Sequence, residues 1–226
     1  MEVHNQLLKD IYYIYRITEG EQKTANWFDP KYLDLSPGSN KAWCRKSNKD
    51  GKFWIDNFKN PNDWNLMLHP NNYLPIFLIN LLYADKKDII IEDVCCGMGK
   101  YIFFLNKLGF KNFSLFDNFS GVSSELLNGV MQETDANWTI NEQGVKPIVS
   151  NLSAYPWYIG PKKNIPTESC ELFTFYCADN IFENIGARLL EKGYVELCQD
   201  KDYIVVAFCK KEKYDEFKEK LVPYGV

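Results

Sequence analysis

Ile89-Ile90-Ile91-Glu92-Asp93-Val94-Cys95-Cys96-Gly97-Met98-Gly99 is the stretch on which the reading of this chain turns. Ile89, Ile90, Ile91 and Val94 form a β-branched run of the kind that builds a strand buried on both faces, as in a parallel sheet covered by helices. The tight turn from Cys95 to Gly99 follows at once, and a helix is predicted from Lys100 to about Leu108, with Gly109 placed to cap it. Gly97 and Gly99 let the backbone approach a ligand without a Cβ in the way, beside the free N–H groups of the helix start. A second strand is predicted from Phe113 to Asp117, which puts Asp117 where a carboxylate can accept both hydroxyls of a ribose. Together these residues describe a nucleoside-binding site.

Working outward, the period alternates between strand and helix. A helix is expected from about Ser123 to Gln132, strands at Pro147 to Asn151 and Glu171 to Tyr176, and a helix from about Asn180 to Glu191. Tyr194 to Cys198 and Tyr203 to Cys209 alternate as two further strands, and Lys211 to Leu221 is a charged amphipathic helix. Such alternation calls for an α/β fold, a doubly wound and mostly parallel sheet. The last two strands are expected to close it as an antiparallel hairpin, with an earlier strand missing. Pro156, Gly160, Pro161 and Pro166 replace the usual crossover helix between the Pro147 and Glu171 strands by a loop. Upstream, Asn71 or Asn72 can cap a helix that carries Pro75 in its first turn and runs to about Tyr83. Residues 1–71 read as a separate, irregular extension that opens with an amphipathic helix over about 4 to 17, and residues 72–226 as the core.

The glycine turn resembles the first motif of the class I S-adenosylmethionine-dependent methyltransferases, an apolar strand, an acidic residue, one spacer and then G-x-G-x-G. Asp93, Gly97 and Gly99 match it in place, and Cys95 stands where the family has its first glycine. The resemblance covers roughly residues 72 to 210. It implies a Rossmann-like core, S-adenosylmethionine as cofactor, and a binding site made of Asp93, Cys95, Gly97, Gly99, Asp117 and its neighbour Asn118. In the family, the residue ending the third strand accepts from the adenine amino group and the backbone of its successor serves the ring, which implicates Asn151 and Leu152. The end of the fourth strand faces the methyl acceptor, which implicates Tyr176 as a hydrogen-bonding group and Asp179 as a base or an orienting group. The run Phe175-Tyr-Cys-Ala-Asp-Asn180 is not the Asn/Asp-Pro-Pro-Tyr/Phe signature of base amino-methyltransferases, so DNA adenine methylation is not expected.

Composition bounds the partners. Hydrophobic residues at 46% and a net charge of −4 describe a soluble globular chain, and no apolar run reaches the roughly 20 residues of a membrane span. No basic-then-apolar leader opens the sequence, so the cytoplasm is the expected compartment. Only Arg16, Arg45 and Arg188 supply guanidinium forks, which disfavours a nucleic-acid acceptor. A small-molecule acceptor is favoured, enclosed by Trp27, Trp43, Tyr155, Trp157 and Tyr158, and a protein acceptor is left open. With two histidines and no C-x-x-C pair, no metal site is expected. Two alternatives compete with a methyltransferase. One is a non-catalytic module that keeps the fold; the other is an NAD-dependent enzyme. The second is disfavoured because a G-x-G-x-x-G read from Gly97 meets Tyr101 and Phe103 near its third glycine.

Overall fold

The computed structural model describes residues 73–97, 99–117, 127–129, 131–132, 134–152, 166–176, 179–200 and 205–224. The extension 1–71 with its expected helix, Asn118, and most of the loop from Tyr155 to Pro166 lie outside the described residues.

The described chain begins with helix α1 (Tyr73–Leu82), followed by β1 (Ile90–Val94), α2 (Lys100–Lys107), β2 (Asn112–Phe116) and a helical stretch at 127–129 and 131–132. Three strands follow: β3 (Asn137–Ile140), β4 (Val149–Leu152) and β5 (Leu172–Tyr176). Then come α3 (Asp179–Glu191), β6 (Tyr194–Asp200), β7 (Val205–Lys210), a short 3-10 turn (Lys211–Lys213) and α4 (Tyr214–Leu221).

The strands form one sheet of seven in the order β3-β2-β1-β4-β5-β7-β6. β1 to β5 run parallel, and β7 is antiparallel to both β5 and β6. The closing hairpin is therefore the expected one, with a shift of register between Glu196 and Cys198. One expectation is corrected: no earlier strand is missing, because Asn137–Ile140 supplies it at the sheet edge. The charged helix also starts three residues later than read from sequence, its first turn being 3-10.

Register decides what each face buries. Ile91, Phe113, Leu115, Val149, Leu172, Ala207 and Cys209 share one face and pack with Ile76, Leu78 and Ile79 of α1, Ile102 and Leu105 of α2, and Phe217 and Leu221 of α4. Val94, Phe116, Leu152, Phe175, Val206 and Phe208 line the other, against Ile185 and Leu189 of α3. Both faces are covered, as parallel strands require. β1 lies between β2 and β4, so the chain leaves it in opposite directions, and the crevice beyond its carboxyl end is where such sheets take ligands. Among the described residues no helix is long and apolar enough to cross a membrane.

Candidate functional site

The turn after β1 carries three left-handed residues: Cys95 (φ 61°), Gly97 (φ 53°) and Gly99 (φ 79°). The Cys95 and Cys96 N–H groups both donate to the Phe116 carbonyl, at 2.7 and 3.2 Å, which ties the turn to the end of β2. Gly99 N–H donates to the Cys96 carbonyl at 2.9 Å, and its own carbonyl accepts from Phe103 N–H at 2.9 Å to start α2. A Cβ placed on Gly97 would meet nothing within 4 Å, so open space adjoins the turn at that residue.

Asp117 follows β2 and crosses to the turn: its Oδ2 accepts from Gly97 N–H at 2.7 Å. Asp117 is itself held from the other side. Its N–H donates to Asn141 Oδ1 at 3.2 Å, and Asn141 Nδ2 donates to the Asp117 carbonyl at 3.0 Å.

Asp93 lies one residue before the end of β1 and is fully buried. Asn151, its register partner on β4, donates from Nδ2 to Asp93 Oδ1 at 3.0 Å and accepts from Thr174 Oγ1 of β5 at 2.7 Å. The Asn151 amide thus presents its NH2 to Asp93 and its oxygen to the threonine hydroxyl. The charges of Asp117 and Asp93 reach the turn. Burial first, and then Asp117 and Asp93, push the Cys95 thiol up to about 12. Burial and the same two carboxylates push Cys96 well up, and burial with Asp93 does so for the Tyr101 hydroxyl. All three are neutral at neutral pH, so neither cysteine is a thiolate nucleophile.

The structure thus gathers Asp93, Cys95, Gly97, Gly99 and Asp117 at one sheet end. Cys95 packs in the apolar cluster with Val94, Phe116 and Leu152. Leu152 is likewise core by its side chain. The strand numbering behind the adenine assignment shifts by one: Asn151 and Leu152 end the fourth strand in the chain, Asn141 follows the third, and Tyr176 ends the fifth. Asn151 is buried with both amide atoms engaged inside the sheet. Tyr176 and Asp179 stand at the carboxyl end of β5 and the start of α3, two strands from β1. Sequence reasoning missed Asn141 and Thr174. Asn141, at φ 52° and ahead of Glu-Gln-Gly144, carried a turn signal that becomes visible only once Asn137–Ile140 is recognised as a strand.

A scan of protein-family models finds no match to the chain, and a search of curated proteins finds none either. Solved structures similar to it include a proposed RNA methyltransferase from Pyrococcus horikoshii, at 12% identity and TM-score 0.46, covering 72% of this chain and 90% of that one. A ribosomal protein L11 methylase from Lactobacillus delbrueckii subsp. bulgaricus gives 16% and 0.44, covering 66% and 88%. A proposed class I S-adenosylmethionine-dependent methyltransferase from Listeria monocytogenes gives 12% and 0.45, covering 80% and 71%. The seven-stranded, mostly parallel sheet with helices on both faces is the architecture of the Rossmann-like methyltransferase fold. One expectation is corrected by these likenesses. A favoured small-molecule acceptor and a disfavoured nucleic acid conflict with similar structures named for RNA and ribosomal-protein methylation. The physical reason is that whole-chain charge does not report the field at one cleft, and lysine neutralises phosphate without a guanidinium fork.

Proposed function

We propose that the chain is an S-adenosylmethionine-dependent methyltransferase whose cofactor is held by the turn from Cys95 to Gly99 and by Asp117, with Asn118 beside it. The observation that carries this reading is the Gly97 N–H to Asp117 Oδ2 bond of 2.7 Å, which joins the left-handed turn of β1 to a carboxylate at the end of β2. Open space adjoins the turn at Gly97, and the Asp117 carboxylate stands at the end of β2, where a ribose would lie beside it. The residues therefore fit a nucleoside cofactor.

When bound, S-adenosylmethionine supplies an activated sulfonium methyl group. The protein then has to align and dry the site more than to supply acid or base. Asp117 anchors the ribose, Gly97 and Gly99 allow close approach, and Asp93 places a buried carboxylate under the turn, braced by Asn151. Tyr176 and Asp179, at the carboxyl end of β5, are proposed to face the acceptor, Tyr176 as a hydrogen-bonding group and Asp179 as a base where the acceptor carries a proton.

Isothermal calorimetry with S-adenosylmethionine and its demethylated product tests the reading. The wild type should bind both, and Asp117→Ala should weaken binding about 10- to 100-fold, the loss of a charge-assisted contact of about 1.5 to 3 kcal/mol. No binding by the wild type overturns the assignment. Transfer of a labelled methyl group into an extract separated into RNA, protein and small molecules then identifies the acceptor class. Binding with no transfer to any fraction supports the non-catalytic module instead.

A further inference from the structure

Asp117 does not hold its own position. β2 ends at Phe116, and Asp117 comes two residues beyond the ladder that β2 forms with β3, whose last register pair is Leu115 with Ile140. The next backbone rung is still made, from Asn141 N–H to the Leu115 carbonyl at 2.8 Å. Beyond it the pattern changes. The Asp117 N–H is taken by the side-chain oxygen of Asn141, and Asn141 Nδ2 returns a bond to the Asp117 carbonyl. The side-chain amide of one residue thus stands in for a peptide group and clamps Asp117 on both its main-chain polar atoms. Asn141 does this from a left-handed backbone, φ 52°, a conformation that asparagine tolerates better than other residues with a side chain. On its far side Asp117 holds Gly97 N–H. Asn141, Asp117 and Gly97 form a chain of contacts running from the sheet edge to the glycine turn.

We infer that Asn141 is a positioning residue for the cofactor's ribose, acting through Asp117; the inference rests on the nucleoside reading of the site. Its amide is spent on the Asp117 main chain, so its effect on binding passes through the Asp117 carboxylate. Asn141→Gly is the informative variant, because glycine accepts φ 52° without strain and removes only the amide. The binding of S-adenosylhomocysteine and of its 2′,3′-dideoxyribose analogue is measured for wild type, Asn141→Gly, Asp117→Ala and the double variant, with thermal unfolding of each.

Asn141→Gly is expected to weaken S-adenosylhomocysteine about tenfold, the order of one to two lost hydrogen bonds, and to leave the dideoxy analogue unchanged. Added to Asp117→Ala, it should change affinity by less than about twofold, since residues acting through one contact are not additive. Equal losses for both nucleosides, no loss at all, or full additivity with Asp117→Ala would each overturn the inference while leaving the binding site in place. Absence of any wild-type binding would remove the nucleoside reading and this inference with it.

Discussion

Gly97 carries the strongest prediction at the scale of a single residue. Its φ of 53° lies where a side chain costs about 1 to 2 kcal/mol, yet a Cβ there meets no atom within 4 Å. Gly97→Ala therefore meets strain but no clash, and the lower entropy of its unfolded chain returns about 0.4 to 1 kcal/mol. Stability should fall by no more than about 1.6 kcal/mol, a few degrees in melting temperature. Affinity for S-adenosylmethionine should fall much further, because the new methyl enters the open space the ligand needs. Gly97→Val should lose both, since a β-branched residue is an outlier at positive φ. Denaturation and calorimetry on the same preparations separate the two effects, and a small change in both would make Gly97 only a turn residue. Gly97 and Gly99 were legible in the sequence because glycine advertises a left-handed backbone. Cys95 adopts the same conformation at φ 61° with a buried side chain, and its residue type gives no sign of that.

At the scale of elements, three neighbouring strands are joined by side chains as well as by their ladders. Thr174 of β5 donates to Asn151 of β4, which donates to Asp93 of β1, all three buried. Thr174→Val keeps shape and strand preference but removes the donor to Asn151 Oδ1, so stability should fall by about 1 to 3 kcal/mol. A urea midpoint equal to the wild type would show that the row is not coupled. None of this was readable before pairing was known, because residues 93, 151 and 174 meet through sheet register alone. β1, α2, β2 and the β6–β7 hairpin were legible from period and from their bounding turns. β3 was not, for a physical reason: as an edge strand paired on one side only, Asn137-Trp-Thr-Ile140 is part exposed and short. Missing it shifted the number of every later strand by one.

For the whole molecule, the groups with raised pKa values set how the fold answers to pH. Burial, ahead of neighbouring charge, pushes Cys95 and Cys209 up to about 12 from an ordinary 9, and raises Cys96, Tyr83, Tyr101 and Tyr194 as well. All of these are neutral when protonated, so the folded state keeps protons that the unfolded chain releases. Their contribution is fully present below about pH 9 and is lost as pH rises toward 12, at about 1.4 kcal/mol per pH unit for each group titrating in the unfolded state alone. Cys95, Cys96 and Cys209 open the decline near pH 9, and the tyrosines steepen it above pH 10, their ordinary value. The acid side is different: among the described residues, Asp135 and Glu216 are lowered, by hydrogen bonds from Lys111 and Lys213 near the surface, where screening leaves little stability to lose. Urea denaturation from pH 6 to pH 11 should therefore give a plateau to about pH 9 and a steep fall beyond it. Cys209→Ala should flatten the first part of that fall, because it removes one buried thiol that the unfolded chain would ionise. A stability curve that stays level to pH 11 would mean that these side chains exchange protons with solvent as freely folded as unfolded, and that the sheet is not closed over them.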